Sequence, residues 1–314
     1  MRRMRGVALI IALVVVTLAT MMATRIGSQS SLDQRRAATL MGQEQAMQIA
    51  LGAEAWAIEV LHDDAATSKH DSLDEAWAAP LPPLPIEGGQ LQASLEDMQG
   101  RFNLNNLIKP DGTQNMLAMA QFTRLLTALG LETKWADLLL DWIDADTTVT
   151  GNDGAEDSAY TSLTPAYRPP NRPIVSTSEL LALPDFGAER YHQLAPYVAA
   201  LPVGTALNVC TAPGVVLDSI APDLGQYTQG EAQLALNRQK GCFPALADIQ
   251  AAAAARIKNS ADRQAVIASL SDSTHYFRGK TAVSLGTTQL TLYSLFERNT
   301  NGSSRVVIRT LSTE

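Results

Sequence analysis

The chain opens with MRRMRGVALIIALVVVTLATMMA (residues 1–23), and this stretch decides how the rest of the sequence is interpreted. Its first five residues include three arginines, and an apolar run then extends from Val7 to Ala23. About 17 residues at about 1.5 Å each are enough to cross the hydrocarbon core of a bilayer as a helix. We therefore predict that residues 7–23 span a membrane and that the arginines keep the start of the chain in the cytoplasm.

The residues before the apolar run resemble a prepilin-type leader, which is cut on the cytoplasmic side after a glycine. Gly6 followed by Val7 matches that pattern, so residues 1–6 are predicted to be the leader and Val7 the cleaved, N-methylated first residue. An ordinary secretory signal peptide would need small residues after the apolar run, and Met21-Met22-Ala23 fits that requirement poorly. A plain single-span anchor is the other alternative.

The same helix is predicted to continue beyond the membrane. Apolar residues at Ile49, Ala53, Trp56 and Val60 recur every three or four positions, as on the packed face of a helix. The helix is predicted to run past Trp56, with a polar break in its apolar pattern at 28–34. The first half would then lie in lipid, and the second half would pack on a domain.

The composition limits the classes of function. A chain of 314 residues can bury a sizeable core, and its net charge of -8 without a basic stripe argues against nucleic-acid binding. The two cysteines, Cys210 and Cys242, lack CxxC spacing, and the four histidines are scattered, which argues against a zinc site. In an exported domain the even number of cysteines favours one disulfide, with two buried free thiols as the alternative.

Strand-like patterns flank a long helical block. The acidic and then proline-rich stretch at 62–90 is predicted to be a linker, and 88–107 is predicted to form two short strands around a turn. From Asn115 the pattern is helical, with a capping box at Ser176 and further predicted helices at 189–200, 213–221, 229–240 and 244–256. Strand patterns return between Tyr276 and Arg309. Strands around a helical block of about 165 residues indicate one α+β domain with a helical insertion.

An acidic loop carries the most specific chemistry. Residues 135–167 contain seven acids and no lysine or arginine: Asp137, Asp141, Asp144, Asp146, Asp153, Glu156 and Asp157. Clustered carboxylates repel one another unless a cation neutralises them, and calcium prefers six to eight oxygen ligands. The register is not that of an EF-hand, because Val149 and Ala155 occupy the positions that need glycine and glutamate. A solvated acidic loop is the alternative.

Several segments together resemble the general secretion pathway protein K family, the minor pseudopilins of type II secretion. They occur in the family's order along most of the chain: LEDMQGRFNLNNL (95–107), DWIDAD (141–146), GAEDSAY (154–160), NVCTAPGVVLDSI (208–220), YFRGKTAVSL (276–285) and LYSLFER (292–298). Cys210 departs from the family, which more often has a polar residue there.

The resemblance implies an α+β, pilin-like fold, in which a long N-terminal helix packs on a small antiparallel sheet, with a large α-helical insertion domain. It divides the chain into a leader (1–6), a transmembrane helix (7–23), the first part of the pilin-like domain (24–107), the insertion (108–272) and the closing strands (273–314). It also implies structural calcium in the acidic loop. We expect Asp144, Asp146, Glu156 and Asp157 as ligands, with Asp141 and Asp153 in reserve.

The resemblance further implies the partners and the location. These are minor pseudopilins I and J, the prepilin peptidase, other pseudopilins and exoprotein cargo, with no nucleic acid and no catalytic residues. The chain would cross the bacterial inner membrane once, with its body in the periplasm.

One residue departs from most pseudopilins in an informative way. Counting from Val7, the fifth residue is Ile11, where most family filaments carry a glutamate that neutralises the amine of a neighbouring subunit. An uncompensated charge in an apolar environment is expensive, so a subunit without the acid suits the filament tip, where no neighbour needs it.

Three other functions compete with this interpretation. A minor type IV pilin of a surface pilus would share the leader and the helix. A membrane-anchored hydrolase could use Asp144 and Glu156 as an acid and a base. Residues 183–198 resemble a helix-hairpin-helix, a unit that binds nucleic-acid phosphates elsewhere, but Asp185 and Glu189 beside its hairpin oppose a phosphate backbone.

Overall fold

The computed structural model describes residues 4–311 of the chain. Residues 1–3, half of the predicted leader, lie outside the described residues. The first element, α1, is one α-helix from Met4 to Thr67. Of the described helices, one is long and apolar enough to cross a membrane, with a mean hydropathy of 2.6 in its most apolar window.

The long helix predicted to run past Trp56 is confirmed, and α1 is continuous through the polar break at 28–34. The stretch is polar but contains no proline, and serine can satisfy its own hydroxyl within a helix. The Ser28 hydroxyl donates to the carbonyl of Arg25 at 2.9 Å. The polar stretch therefore separates the two apolar halves of α1 without ending the helix.

The described strands are β1 (Leu84–Ile86), β2 (Gly89–Asp97), β3 (Phe102–Asn103), β4 (Val198–Ala199), β5 (Leu207–Asn208), β6 (Leu270–Ser271), β7 (Tyr276–Leu285), β8 (Thr288–Arg298) and β9 (Ser304–Thr310). Five of them form one antiparallel sheet in the order β1-β2-β7-β8-β9. The other four form two short parallel pairs, β3 with β4 and β5 with β6. The sheet therefore joins strands from both ends of the body.

Helix α1 packs on one face of this sheet through small side chains. Ala46, Ala50 and Ala53 are buried against a cluster that includes Val283 and Leu292. Alanines let the helix backbone approach the sheet closely, and each buried apolar side chain contributes to the free energy of folding. The predicted pilin-like fold, a long helix on a small antiparallel sheet, is confirmed.

The linker predicted at 62–90 is largely wrong. Helix α1 continues to Thr67, and a short 3-10 helix at Ala76–Ala78 follows. It buries Trp77 against Phe277, with ring centroids 5.2 Å apart in an edge-to-face arrangement. The acidic composition gives no sign that this segment is ordered. Its position is held by one buried tryptophan, which a composition pattern does not show.

The insertion is helical, as predicted. Its helices are α2 (Met116–Ala128), α3 (Lys134–Ile143), α4 (Asp157–Thr161), α5 (Gly187–Leu194), α6 (Gly214–Ser219), α7 (Glu231–Arg238), α8 (Leu246–Ala254) and α9 (Ser260–Ala268). Helix α9 was not predicted, because its only buried residue is Val266 and it therefore shows no apolar stripe. The segment at 177–182 has the predicted capping box but forms a 3-10 helix.

The insertion begins earlier than residue 108. The chain leaves the main sheet after Asp97, and Phe102, Leu104 and Leu107 are buried in the core of the insertion. Strand β3 pairs with β4 of the insertion and not with the main sheet. The two strands predicted at 88–107 therefore belong to different parts of the molecule.

A buried polar network joins the insertion to the pilin-like part. The side-chain amide of Asn208 donates to Asp97 Oδ2 at 2.8 Å, to Thr274 Oγ1 at 2.9 Å and to the Asp71 carbonyl at 2.9 Å. Arg298 donates to Asp64 at 3.0 Å and also to Asp71. These bonds connect the end of α1, the main sheet and the insertion.

Candidate metal site

The acidic loop lies between the end of α3 and the start of α4. Asp144 caps the C-terminus of α3, where its N–H donates to the Leu140 carbonyl at 2.9 Å. Glu156 occupies the N-cap position of α4, but its side chain makes no capping hydrogen bond. The two carboxylates are therefore positioned by rigid element ends, and the loop that joins those ends brings them together.

Three carboxylates converge at this point. Asp144, Asp146 and Glu156 each present an oxygen, and these oxygens all lie within 4.8 Å of one another. Asp144 is only 8% exposed and Glu156 only 5%, whereas Asp146 is exposed. One oxygen of Asp144 and both oxygens of Glu156 are buried without a hydrogen-bond partner among the described residues. Buried carboxylate oxygens without partners are costly, and a bound cation would offset that cost.

The pKa values of the clustered carboxylates are raised, as expected for buried acids that lie close together. Burial, followed by repulsion from Asp141 and Asp144, raises the pKa of Glu156 to about 7. Burial, followed by repulsion from Asp146 and Asp141, raises the pKa of Asp144 to about 6. A divalent cation at this point would offset the repulsion and return both groups to the ionised form.

The remaining predicted ligands lie outside the three-residue cluster. Asp141 accepts from the Thr150 N–H at 3.0 and 3.2 Å and so anchors the loop. Asp157 forms an ion pair with Arg168 at 3.6 Å. Burial is the main cause of the raised pKa of Asp137, and repulsion from Asp153 adds to it. The structure thus brings together Asp144, Asp146 and Glu156.

Two residues near the cluster escaped the sequence reasoning. The Asn171 side-chain amide donates to the Asp146 carbonyl at 3.2 Å, and its oxygen is buried without a hydrogen-bond partner. Tyr160 is fully buried, and its hydroxyl also has no partner among the described residues. Burial, with Tyr167, Asp141 and Glu156 nearby, raises the Tyr160 pKa. Neither residue belongs to the acidic pattern, so the pattern gave no signal for them.

This donor set fits a hard cation. Calcium prefers carboxylate, carbonyl and amide oxygens, and the loop supplies three carboxylates together with nearby neutral oxygens. The same burial disfavours the hydrolase alternative, because Asp144 and Glu156 are almost inaccessible to a substrate. A general acid and base must reach the bond that they cleave.

A second acidic group, Asp64 with Asp71 and Glu75, has a different character. Arg298 donates to both aspartates, and the Ser72 N–H and the Trp77 indole N–H donate to Glu75 at 3.0 and 2.9 Å. The group is satisfied by the protein itself, so it acts as a structural joint.

Two further predictions concern sites in the insertion. Cys210 and Cys242 form a disulfide across a sequence separation of 32 residues.

In the hairpin before α5, Arg190 donates to the carbonyls of Asp185 and Phe186, both at 3.0 Å. The guanidinium group thus hydrogen-bonds the carbonyls of the hairpin and stabilises the turn.

Comparisons with known proteins agree with this architecture. Residues 100–203 match the family model described as Type II secretion system (T2SS), protein K. Type II secretion system protein K of Pseudomonas aeruginosa is 34% identical to the chain, in an alignment that covers 98% of this chain and 93% of the relative. The protein of the same description from Aeromonas hydrophila is 33% identical over 64% of this chain and 65% of the relative.

A solved structure has a similar fold. The crystal structure of the GspK-GspI-GspJ complex from the enterotoxigenic Escherichia coli type 2 secretion system contains a chain that superposes with a TM-score of 0.76. The two chains are 24% identical, and the match covers 89% of this chain and 100% of the other.

Proposed function

This chain belongs to the type II secretion system protein K family and is a minor pseudopilin of that system, and we propose that it occupies the tip of the pseudopilus. There it would bind minor pseudopilins I and J and help to start filament assembly. In this role it supports the export of folded proteins through the outer membrane.

Ile11 is the observation that carries the tip placement. It is 58% exposed on the free part of α1, and an isoleucine cannot neutralise the amine of a subunit stacked above it. A filament position with a subunit above would leave that amine uncompensated in apolar surroundings, which is costly. The tip is the one position without such a neighbour. The GspK-GspI-GspJ complex of the structural relative supports I and J as the partners.

We also infer how the chain reaches the membrane. The prepilin peptidase would cleave after Gly6 and leave an N-methylated Val7 at the start of α1. The apolar helix would then hold the chain in the inner membrane as a single span, with the body in the periplasm. An exported body also suits the disulfide between Cys210 and Cys242.

We further propose that the acidic loop binds structural calcium through Asp144, Asp146 and Glu156. The ion would pin the end of α3 to the start of α4 and so order the loop between them. This role and the assembly role require no catalysis, and we assign the chain no reaction.

A secretion assay tests the proposed function. In a strain that lacks this gene, exoproteins should remain in the periplasm, and the wild-type chain should restore them to the medium. A Gly6→Leu variant should stay uncleaved and fail to restore secretion. A deletion strain that loses surface pili and still secretes would contradict the proposal and favour the type IV pilin alternative.

A further inference from the structure

The segment of α1 between the membrane span and the body makes no packing contact that buries it. Every residue from 25 to 41 is exposed, and the first buried residue of the helix is Ala46. We call residues 25–41 the neck. An isolated stretch of helix in water is marginal, so a neck exposed on all sides is expected to be stabilised by a partner.

The neck carries an unusual charge for its position. It contains Arg25, Arg35, Arg36 and one acid, Asp33, so its net charge is +2. The part of α1 above it, residues 42–67, contains acids and no lysine or arginine. The neck is therefore a basic collar below an acidic segment.

The arginines of the neck oppose the membrane orientation that the arginines before the span favour. Three arginines precede the span, and three follow it within 15 residues of Thr24. Lysine and arginine residues tend to stay on the cytoplasmic side of a span and so set its orientation. Arginines on the opposite side therefore oppose the predicted orientation. Their presence on that side is explained if they have a binding partner.

The partner can be identified by its chemistry. Arg35 makes no ion pair with any residue that the structure describes, and Arg36 makes only a 3.8 Å contact with Asp33 while its side chain is 77% exposed. An exposed pair of that geometry contributes little to stability, so both guanidinium groups remain available. The ligands that best match the planar guanidinium group of arginine are carboxylates and phosphates.

Helix geometry separates a lipid phosphate from a protein carboxylate. Arg35 lies 12 residues after Ala23, or roughly 18 Å along the helix axis beyond the apolar span. The headgroup layer on each side of a bilayer is only about 5–8 Å thick. Arg25 can reach lipid phosphates, but Arg35 and Arg36 stand well beyond them.

We propose that Arg35 and Arg36 form a docking site for carboxylates on the α1-type helix of a neighbouring pilin-like subunit. This inference rests on the proposed function, because it requires a filament in which such helices lie side by side. A neighbour of the same pattern that sits lower along the axis would present its acidic upper segment to this neck. The site thus favours this chain standing above its neighbour.

The test uses the full-length chain in membranes that contain the complete secretion system. A photo-crosslinking amino acid replaces Ala38 in the neck, and adducts are identified by mass spectrometry. The wild-type neck should give an adduct with a pilin-like subunit. The Arg35→Glu/Arg36→Glu variant should lower its yield at least tenfold, and Arg35→Lys/Arg36→Lys should largely retain it. Reversing the contacted acid of the neighbour to lysine should restore the adduct of the Glu variant.

A matched control changes the net charge equally elsewhere. Lys69→Glu/Arg172→Glu alters two exposed basic residues of the body and should leave the adduct unchanged. Lipid adducts alone, or an undiminished yield in the Glu variant, would overturn the proposal. A second crosslinker at Trp56 separates the two claims: an adduct there without one at the neck refutes only the docking site, whereas no adduct at either position refutes the proposed function.

Discussion

At the scale of single residues, Glu156 is the most consequential side chain of the acidic loop. Both of its oxygens are buried without partners, and its neighbours in the cluster are also acids. A buried carboxylate surrounded by other carboxylates destabilises the folded state unless a cation compensates it. Calcium should therefore change the stability of this protein through this residue more than through any other acid in the loop.

Replacing Glu156 with glutamine should abolish most of the calcium-dependent rise in Tm. A ligand at 100 times its Kd stabilises a protein by about 2.7 kcal/mol, so the wild-type shift should be several degrees. In EGTA the variant should be at least as stable as the wild type, because it removes an uncompensated charge. Asp153→Asn is the matched control, since Asp153 lies outside the cluster and its variant should keep the shift. Equal shifts in the wild type and E156Q would refute the site.

Without calcium, stability should fall as the pH rises from about 5 to 7.5. The folded-state pKa values of Asp144 and Glu156 are raised to about 6 and about 7, so the folded protein binds more protons than the unfolded chain in this range. Thermal unfolding in EGTA across this pH range measures the slope. Saturating calcium should flatten it, and a stability that rises with pH in EGTA would contradict the raised pKa values.

The sequence predicted the candidate site only in part. Seven acids without a basic residue fit either a cation site or a solvated loop, and the family resemblance favours the cation site. Three of the expected ligands do converge. Charge pattern alone could not show that Asp157 pairs with Arg168 or that Asp141 binds the loop backbone. It also could not indicate Asn171, which approaches from 25 residues away along the chain. Pairing choices of this kind depend on tertiary contacts.

At the scale of elements, the structure depends on the connections between the insertion, the main sheet and α1. Arg298 at the end of β8 binds Asp64 of α1 and Asp71 after it, and all three residues are buried. Such a group has a high cost when one member is removed, since the others remain charged and buried.

Arg298→Met should destabilise the protein by about 3–5 kcal/mol, because it leaves two buried aspartates without their cation. Arg305→Met is the matched control. Arg305 is 70% exposed and pairs with Glu297 on the surface, so its loss should cost about 0–1 kcal/mol. Urea unfolding of both variants measures the difference, and similar values for the two would contradict the joint.

The disulfide should stabilise the insertion by about 3–4 kcal/mol, according to the loop-entropy treatment for a separation of 32 residues. A Cys210→Ala/Cys242→Ala variant, which leaves no free thiol, should lose that amount in urea unfolding. The wild type under a reducing agent should approach the variant. A loss below about 1 kcal/mol would show that the bond contributes little beyond the contacts around it.

Elements with a strong apolar period were predictable, and elements held by single contacts were not. The long helix, the main strands and most insertion helices follow from their patterns. The segment of Trp77 and helix α9 do not, because one buried side chain fixes each of them. The boundary at Asp97 was also hidden, since strand-like residues on either side of Gly100 join different sheets.

At the scale of the whole molecule, three parts share one chain: a long N-terminal helix with an apolar first part, a small sheet that packs on its upper half, and a large helical insertion. The neck keeps the body away from the apolar span, and the buried hydrogen bonds of Asn208 connect the insertion to the sheet. This combination suits a subunit that is anchored like a pilin and carries additional mass at one end. We propose that such a subunit occurs once, at the tip, with I and J.

Native mass spectrometry of the complex purified from membranes tests that claim most directly, because it gives stoichiometry and processing together. We predict one copy of this chain with one copy each of I and J, and a chain mass that begins at an N-methylated Val7. A chain that retains Met1, or that occurs in many copies per filament without I and J, would contradict the account.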